Sequence, residues 1–347
     1  MSDQTKFAVI GTGHIGKRHA AMIQNNPHAT LVAMADTNTA LEKEIRDTYQ
    51  VPFYSSAEEL YKHTEDIDVV NICTPNYLHA AQSIEALEKG HHVVCEKPMG
   101  LSKNDCERVI YKALQKHKLL FCVMQNRYSP PSVWLKNIID ERRLGKIHMV
   151  QVNCYWNRDE RYYKPDGKPH PWKGIMAYDG GTLFTQFSHF VDIMYWLFGD
   201  IKNIKAAFHN FKHPYLDKGF EDTGNVFFDF VNEGSGVLNY STAVYDSNLE
   251  SSITIIGENG SVKVGGQYMN KIEYCNIKDY QAPELPKSSP PNNYGSYIGS
   301  AANHHFIIDN VINTLEHKTS VTTNALEGLK VVEIIERIYQ HKNTESV

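Results

Sequence analysis

The chain has 347 residues, 41% apolar and 22% charged, the profile of an ordinary globular protein long enough for two domains rather than one core. Its net charge of −5 argues against nucleic-acid binding as the main activity, and no apolar run reaches membrane-spanning length. The six cysteines (73, 95, 106, 122, 154 and 275) form no CxxC pair and no metal-ligand spacing with histidine, and the first five residues lead into a strand without the basic and apolar segments of a signal peptide, so a reduced, metal-free, cytoplasmic protein is expected.

Strand-like runs at 6–10, 30–35, 68–73, 91–95 and 119–124 alternate with helical stretches, which predicts an α/β domain over 1–125 with a doubly wound parallel sheet. Gly90 closes the helical stretch that begins at Asn76, and Ser102, with Asp105 three residues on, opens the next. Beyond Tyr128, runs at 147–156, 201–211, 224–231, 235–244, 251–256, 261–265 and 270–277 read as strands joined by short turns, which predicts a second, α+β domain over 126–347 with a mostly antiparallel open sheet. The proline-, serine- and asparagine-rich stretch 278–297 reads as a lid or subunit contact, and two helices follow, the last opened by Asn324 with Glu327 in capping-box position.

Gly11, Gly13 and Gly16 spell GxGxxG between the first strand and a helix that starts near His14 and Ile15, whose amides would face a pyrophosphate. Asp36 follows Gly16 by twenty residues at the end of the second strand, where a carboxylate can accept both ribose hydroxyls and repel a 2′-phosphate. NAD is therefore the expected cofactor; the alternative is a glycine turn with a surface aspartate. Thr74-Pro75-Asn76, with His79 one turn later, follows the strand at 68–73 and is expected to border the nicotinamide ribose, although His79 also reads as an ordinary helix-surface residue.

Lys97, between Glu96 and Pro98 just past the strand 91–95, lies where parallel sheets present ligands, so its ammonium is expected to face the cofactor and to serve proton transfer. Within the apolar helix 183–198, Thr185, His189 and Asp192 recur at i, i+4, i+7, and Asp179-Gly180-Gly181 before it would admit a ligand or backbone to the helix entrance. The same stripe also fits a buried hydrogen-bonded pair. From Arg158 to Lys173 the lysines and arginines exceed the acids by 5 − 3 = 2, which suits either an anionic small molecule or a solvated loop.

The fingerprint, the TPNxxH loop, EKP and the GG…HxxD helix together resemble the Gfo/Idh/MocA oxidoreductases from Lys6 to about Tyr339. That resemblance implies hydride exchange with a sugar carbon flanked by Lys97 and His189, and assembly into dimers or tetramers through the second-domain sheet. Gln125-Asn126-Arg127, Trp156-Asn157-Arg158 with Tyr162-Tyr163, Trp172-Lys173-Gly174 and Asp179-Gly180-Gly181 look like the group that oxidises UDP-N-acetyl-2-amino-2-deoxyglucuronate at C3′. On it, Asn126, Trp172 and Lys173 join Glu96 and Lys97 at the cofactor, and Arg127, Arg158, Tyr163, Asp179, Thr185 and His304 join Lys97 and His189 at the substrate. Two positions depart from the group: Thr185 stands where it has asparagine, and Lys173 where the family has arginine. Thr185 keeps a free sugar, inositol or dihydrodiol open as substrate, and the two departures together keep open a non-catalytic NAD-bound regulator.

Overall fold

The computed structural model describes residues 4–295 and 297–343, which divide into two compact units. The first unit holds six parallel strands, β1 (Thr5–Ile10), β2 (Ala29–Ala35), β3 (Phe53–Tyr54), β4 (Val69–Ile72), β5 (His92–Cys95) and β6 (Leu120–Cys122), in the order β3-β2-β1-β4-β5-β6. Their continuous apolar runs are buried on both faces, as parallel strands between helices must be: Phe7, Ala8 and Val9 of β1 and Val69 and Val70 of β4 have no exposed surface. β3 has two residues, too short for a periodicity to announce it.

This unit also takes in His304–Val332, which the sequence reading gave to the second domain. The helix His304–Leu315 packs on the helix His14–Gln24, with Asn26 Nδ2 donating to Asp309 at 2.8 Å. The chain then returns to the edge strand β6, where Cys122 N donates to Thr323 O at 3.0 Å. Asn324 and Glu327 cap the last helix reciprocally, at 3.1 and 3.2 Å.

The second unit holds Gln125–Asn303 with the last described turns of the chain. Its seven-stranded sheet, β7 (Ile147–Tyr155), β8 (Ile201–His209), β9 (Thr223–Phe230), β10 (Ser235–Ser241), β11 (Glu250–Gly257), β12 (Gly260–Gly265) and β13 (Lys271–Ile277), runs β13-β12-β11-β7-β10-β9-β8 and is antiparallel except between β7 and β10. Alternation along β9 buries Val226, Phe228 and Phe230 and leaves Phe227 58% exposed. Within the expected loop 278–297 the structure places β14 (Pro291–Asn293), paired with β15 (Ile298–Ala301).

The helix expected over 183–198 is two segments: one π turn, Leu183–Phe187, then an α-helix, Ser188–Phe198. The wider turn breaks the 3.6-residue period, so Thr185 leaves the stripe it shares in sequence with His189 and Asp192. Among the described residues no helix is long and apolar enough to cross a membrane.

Candidate active site

The nucleotide loop is shaped by contacts only glycine tolerates. A Cβ on Gly11, which has φ +91°, would lie 2.6 Å from Cys73 O, and one on Gly16 would lie 1.8 Å from Gly11 O, so the third glycine lets the helix pack against the strand end. Gly13 has open space above it, and the helix His14–Gln24 starts there without a side-chain cap, with His14 exposed and Ile15 half-buried. Its first amides suit a pyrophosphate. Asp36 stands at the end of β2 beside this loop, accepting from Thr12 N at 2.6 Å and Thr12 Oγ1 at 3.1 Å. Loop, helix terminus and carboxylate thus fit the pyrophosphate and ribose of NAD.

Around the ends of β4 and β5 several expected ligand contacts are braces. His79 is buried, with Nδ1 2.7 Å from Pro98 O and Nε2 2.7 Å from Thr74 O, so its ring ties the Thr74-Pro75-Asn76 loop to the EKP loop and is not a helix-surface residue. Thr74 Oγ1 donates to Gln82 at 2.6 Å, and Asn76 is buried where the short turn Asn76–Leu78 begins. Lys97 is half-buried after β5.

Glu96, expected at the cofactor, is buried and accepts from His19 Nε2 at 2.9 Å. Burial opposes its ionisation, but the His19 hydrogen bond and the neighbouring His19, His304 and Lys97 charges hold the carboxyl down at about 2. His304, expected at the anionic end of the substrate, lies in the first unit instead, its Nε2 3.7 Å from Glu96 and its imidazole pushed down to about 3 by burial. His19, Glu96 and His304 gather three possible metal ligands within 4.8 Å. Asn71 Nδ2 lies 2.8 Å from His19 Nδ1, so His19 bridges Asn71 and Glu96 as a hydrogen-bonded brace, while neither ring nitrogen of His304 has a hydrogen-bond partner among the described residues.

In the second unit, Asp192 is wholly buried and takes both prongs of Arg127, at 2.9 and 2.6 Å, so Arg127, expected at the substrate, is held in an interior ion pair. Beside it, Asn126 is buried at the start of the same short turn. Thr185 donates to the Asp179 carboxylate and, at 3.0 Å, to its carbonyl, while Gly174 N donates to Asp179 at 2.9 Å. Burial raises the Asp179 carboxyl to about 6. The room at Gly181 belongs to Tyr339, whose hydroxyl lies 2.7 Å from where a Cβ would stand and accepts from Leu183 N at 2.8 Å; no ligand is needed to explain the double glycine.

Arg158 differs from Arg127. It is 1% exposed, and its acceptors are all neutral: Gln186 Oε1 at 2.7 Å, Asn157 O at 2.6 Å, Asn248 Oδ1 at 3.3 Å and Ile298 O at 3.2 Å. No carboxylate among the described residues pairs with it. Its guanidinium lies over Trp156 (4.8 Å), Tyr297 (4.8 Å) and Tyr162 (5.5 Å), and Lys173 Nζ sits 4.1 Å above Tyr162. Burial pulls the Lys173 ammonium down to about 8, against the attraction of Asp179. Tyr163 packs on Phe220 beneath this cluster, and Trp172 flanks Lys173 at 5.9 Å. Two cations, an aromatic wall and one raised carboxyl stand together here, a chemistry that can hold an anionic, hydroxylated molecule.

The sequence reading quoted Gln125 and Tyr162 without giving them roles and passed over Gln186, Asn248, Tyr297 and Ser300. Gln125 is signalled by its pairing with Asn126-Arg127 and Tyr162 by its pairing with Tyr163; the other four have no signal, because their partners lie far away in the chain.

The described geometry agrees with comparisons to known proteins. Residues 5–124 match the model of the oxidoreductase family with an NAD-binding Rossmann fold, and residues 133–263 match the GFO/IDH/MocA C-terminal domain. The chain belongs to the Gfo/Idh/MocA oxidoreductases. The structure of the WlbA dehydrogenase from Bordetella pertussis in complex with NADH and UDP-GlcNAcA superposes with a TM-score of 0.86 at 30% identity, over 99% of this chain and 98% of that one. The WlbA dehydrogenase of Chromobacterium violaceum, also with NADH and UDP-GlcNAcA, gives 0.86 at 31%, over 99% and 95%. An uncharacterized oxidoreductase of Bacillus subtilis, YrbE, is 27% identical over 79% of this chain and 77% of its own. The protein is thus an NAD-dependent oxidoreductase with a Rossmann domain and a mostly antiparallel second sheet.

Proposed function

We propose that this oxidoreductase oxidises a ring hydroxyl, C3′, of a UDP-linked acetamido sugar or its uronate. The observation that carries the substrate class is the pair Arg158 and Lys173: a buried guanidinium without a carboxylate partner among the described residues, beside a second cation, matches a substrate that brings its own negative charge. The WlbA relatives, whose structures contain UDP-GlcNAcA, support the same class.

Bound NAD supplies the hydride acceptor, C4 of its nicotinamide. Lys97 and His189 are assigned the proton: one takes it from the hydroxyl as the C–H electron pair leaves, giving a ketone and NADH. Such help is worth roughly 10²–10⁴-fold. An amine works as this base only when its pKa falls well below about 10.4, through desolvation or a neighbouring cation. Lys97→Met should lower kcat by that factor with NAD affinity retained.

Thr185 favours a second reading, a free sugar or inositol, because its hydroxyl is committed to Asp179 and presents no amide to a nucleotide sugar. Purified protein with NAD and UDP-N-acetylglucosamine, or its uronate, should accumulate NADH. UDP alone should raise the melting temperature under the first reading and leave it unmoved under the second; silence with a broad panel of nucleotide sugars refutes the first.

The outward face of the large sheet carries Met149, Phe227, Ile256 and Tyr274, 41%, 58%, 41% and 53% exposed, an apolar surface that supports a homodimer or homotetramer formed there. Tyr240, on the opposite face of the same sheet, is buried against Glu221.

A further inference from the structure

We infer that Gln125 is a positioning residue whose amide sets the protonation state of His189, an inference that rests on His189 being part of the acid–base pair. Gln125 opens the short turn after β6 and is 3% exposed; His189 sits in the first turn of its helix and is also 3% exposed. The Gln125 amide nitrogen lies 3.2 Å from His189 Nε2 and 3.1 Å from Ser300 Oγ, so its two hydrogens have two acceptors. The backbone of Gln125 is fixed in turn: its carbonyl accepts from Asn303 Nδ2 at 3.3 Å, and the same nitrogen reaches Ser129 Oγ at 3.0 Å.

A donor aimed at Nε2 favours the neutral ring with its proton on Nδ1, because an imidazolium would set N–H against N–H. In that state Nδ1 already carries its hydrogen and cannot take a proton. Rotating the amide by half a turn reverses the logic. The Gln125 oxygen, buried and without a hydrogen-bond partner in the drawn orientation, would then accept from Nε2–H and from the Ser300 hydroxyl, freeing the Nδ1 lone pair and stabilising the imidazolium formed when it takes a proton. Each orientation leaves one amide atom unsatisfied, so neither is strongly preferred. One side chain thereby decides whether His189 can take a proton in oxidation and, as the imidazolium so formed, return it in reduction.

The charged groups on the two elements that make this contact are Arg127, two residues after Gln125, and Asp192, three after His189. They pair with each other at 2.6 Å.

Two isosteric variants test this: Gln125→Glu, whose carboxylate accepts from Nε2–H, and Gln125→Met, which offers no polar atom. The His189 ring is followed by NMR titration, and kcat/KM by its pH profile with NAD. Gln125→Glu should raise the His189 pKa by ~1 unit or more, moving the acidic limb of oxidation to higher pH, roughly a tenfold loss per unit below it. Gln125→Met should lower kcat about tenfold with the KM for NAD unchanged. A His189 titration that Gln125→Glu leaves unmoved overturns the inference even if both variants are slow or less stable. A shifted titration with an unshifted rate profile refutes instead the catalytic reading of His189, and the inference with it.

Discussion

Removing the Asp192 charge by Asp192→Asn should cost far more stability than its single ion pair suggests. The Arg127 guanidinium meets both carboxylate oxygens, at 2.9 and 2.6 Å, with side-chain exposures of 1% and 0%, and it lies 5.2 Å from the Trp196 ring. Both charges are buried, so breaking a pair of this kind costs about 3–5 kcal/mol. Arg127→Met leaves the opposite charge stranded and should cost a similar amount. Replacing both, Arg127→Met with Asp192→Leu, removes the two desolvated charges together and should recover most of the loss, leaving a coupling energy above ~2 kcal/mol. Denaturant titration of the four proteins, without substrate, measures this cycle. If the single losses merely add, or if Asp192→Asn unfolds with the wild type while the substrate KM rises, Arg127 serves a ligand as its sequence context suggested, and the structural reasoning fails.

Lys173 should make binding of an anionic sugar pH-dependent. Its ammonium, depressed by burial to about 8, is present below that pH and lost above it, so the KM for a uronate should rise past about 8 while that for a neutral sugar stays level; Asp179→Asn, removing the charge that helps hold the proton, should move the rise to lower pH, and equal profiles for both sugars would refute the assignment. His304 should steepen acid unfolding. A ring near 3 in the folded protein and 6.5 unfolded gives its full stabilisation above 6.5 and loses it as pH falls toward 3, so His304→Gln should flatten the fall in denaturation midpoint between about pH 6 and 4, leaving the loss tied to Glu96, which comes lower, as pH drops from 4.5 through about 2. Phe227→Lys should shift sedimentation from oligomer toward monomer without changing the NAD site; unchanged sedimentation removes the sheet face as the interface.

Periodicity carried much of the fold and little of the site. Strands buried on both faces are continuous apolar runs, so β1, β2, β4, β5 and β6 were legible within a residue or two, and the glycine spacing named the cofactor because backbone contact at Gly11 and Gly16 is a local requirement. The helix over 183–198 was read with one period throughout, but Leu183–Phe187 winds wider, a change that an apolar run does not announce. Thr185, His189 and Asp192, one stripe in sequence, consequently serve three separate partners: Asp179, Gln125 and Arg127. The helices of 304–332 were assigned by chain order, and nothing in an amphipathic face says which sheet it covers.

The two Asn-Arg pairs show why site chemistry resists such reading. Asn126-Arg127 and Asn157-Arg158 look alike in sequence, both guanidiniums are buried, and both stack on tryptophan. What separates them is a carboxylate 65 residues further on that answers one of them and has no counterpart for the other among the described residues. Arg127 is thereby spent on the interior of its own unit. Arg158, held among the described residues by amide and carbonyl oxygens, has no such partner there, and on the proposed reading a ligand carrying a carboxylate or phosphate is the chemistry that would complete it.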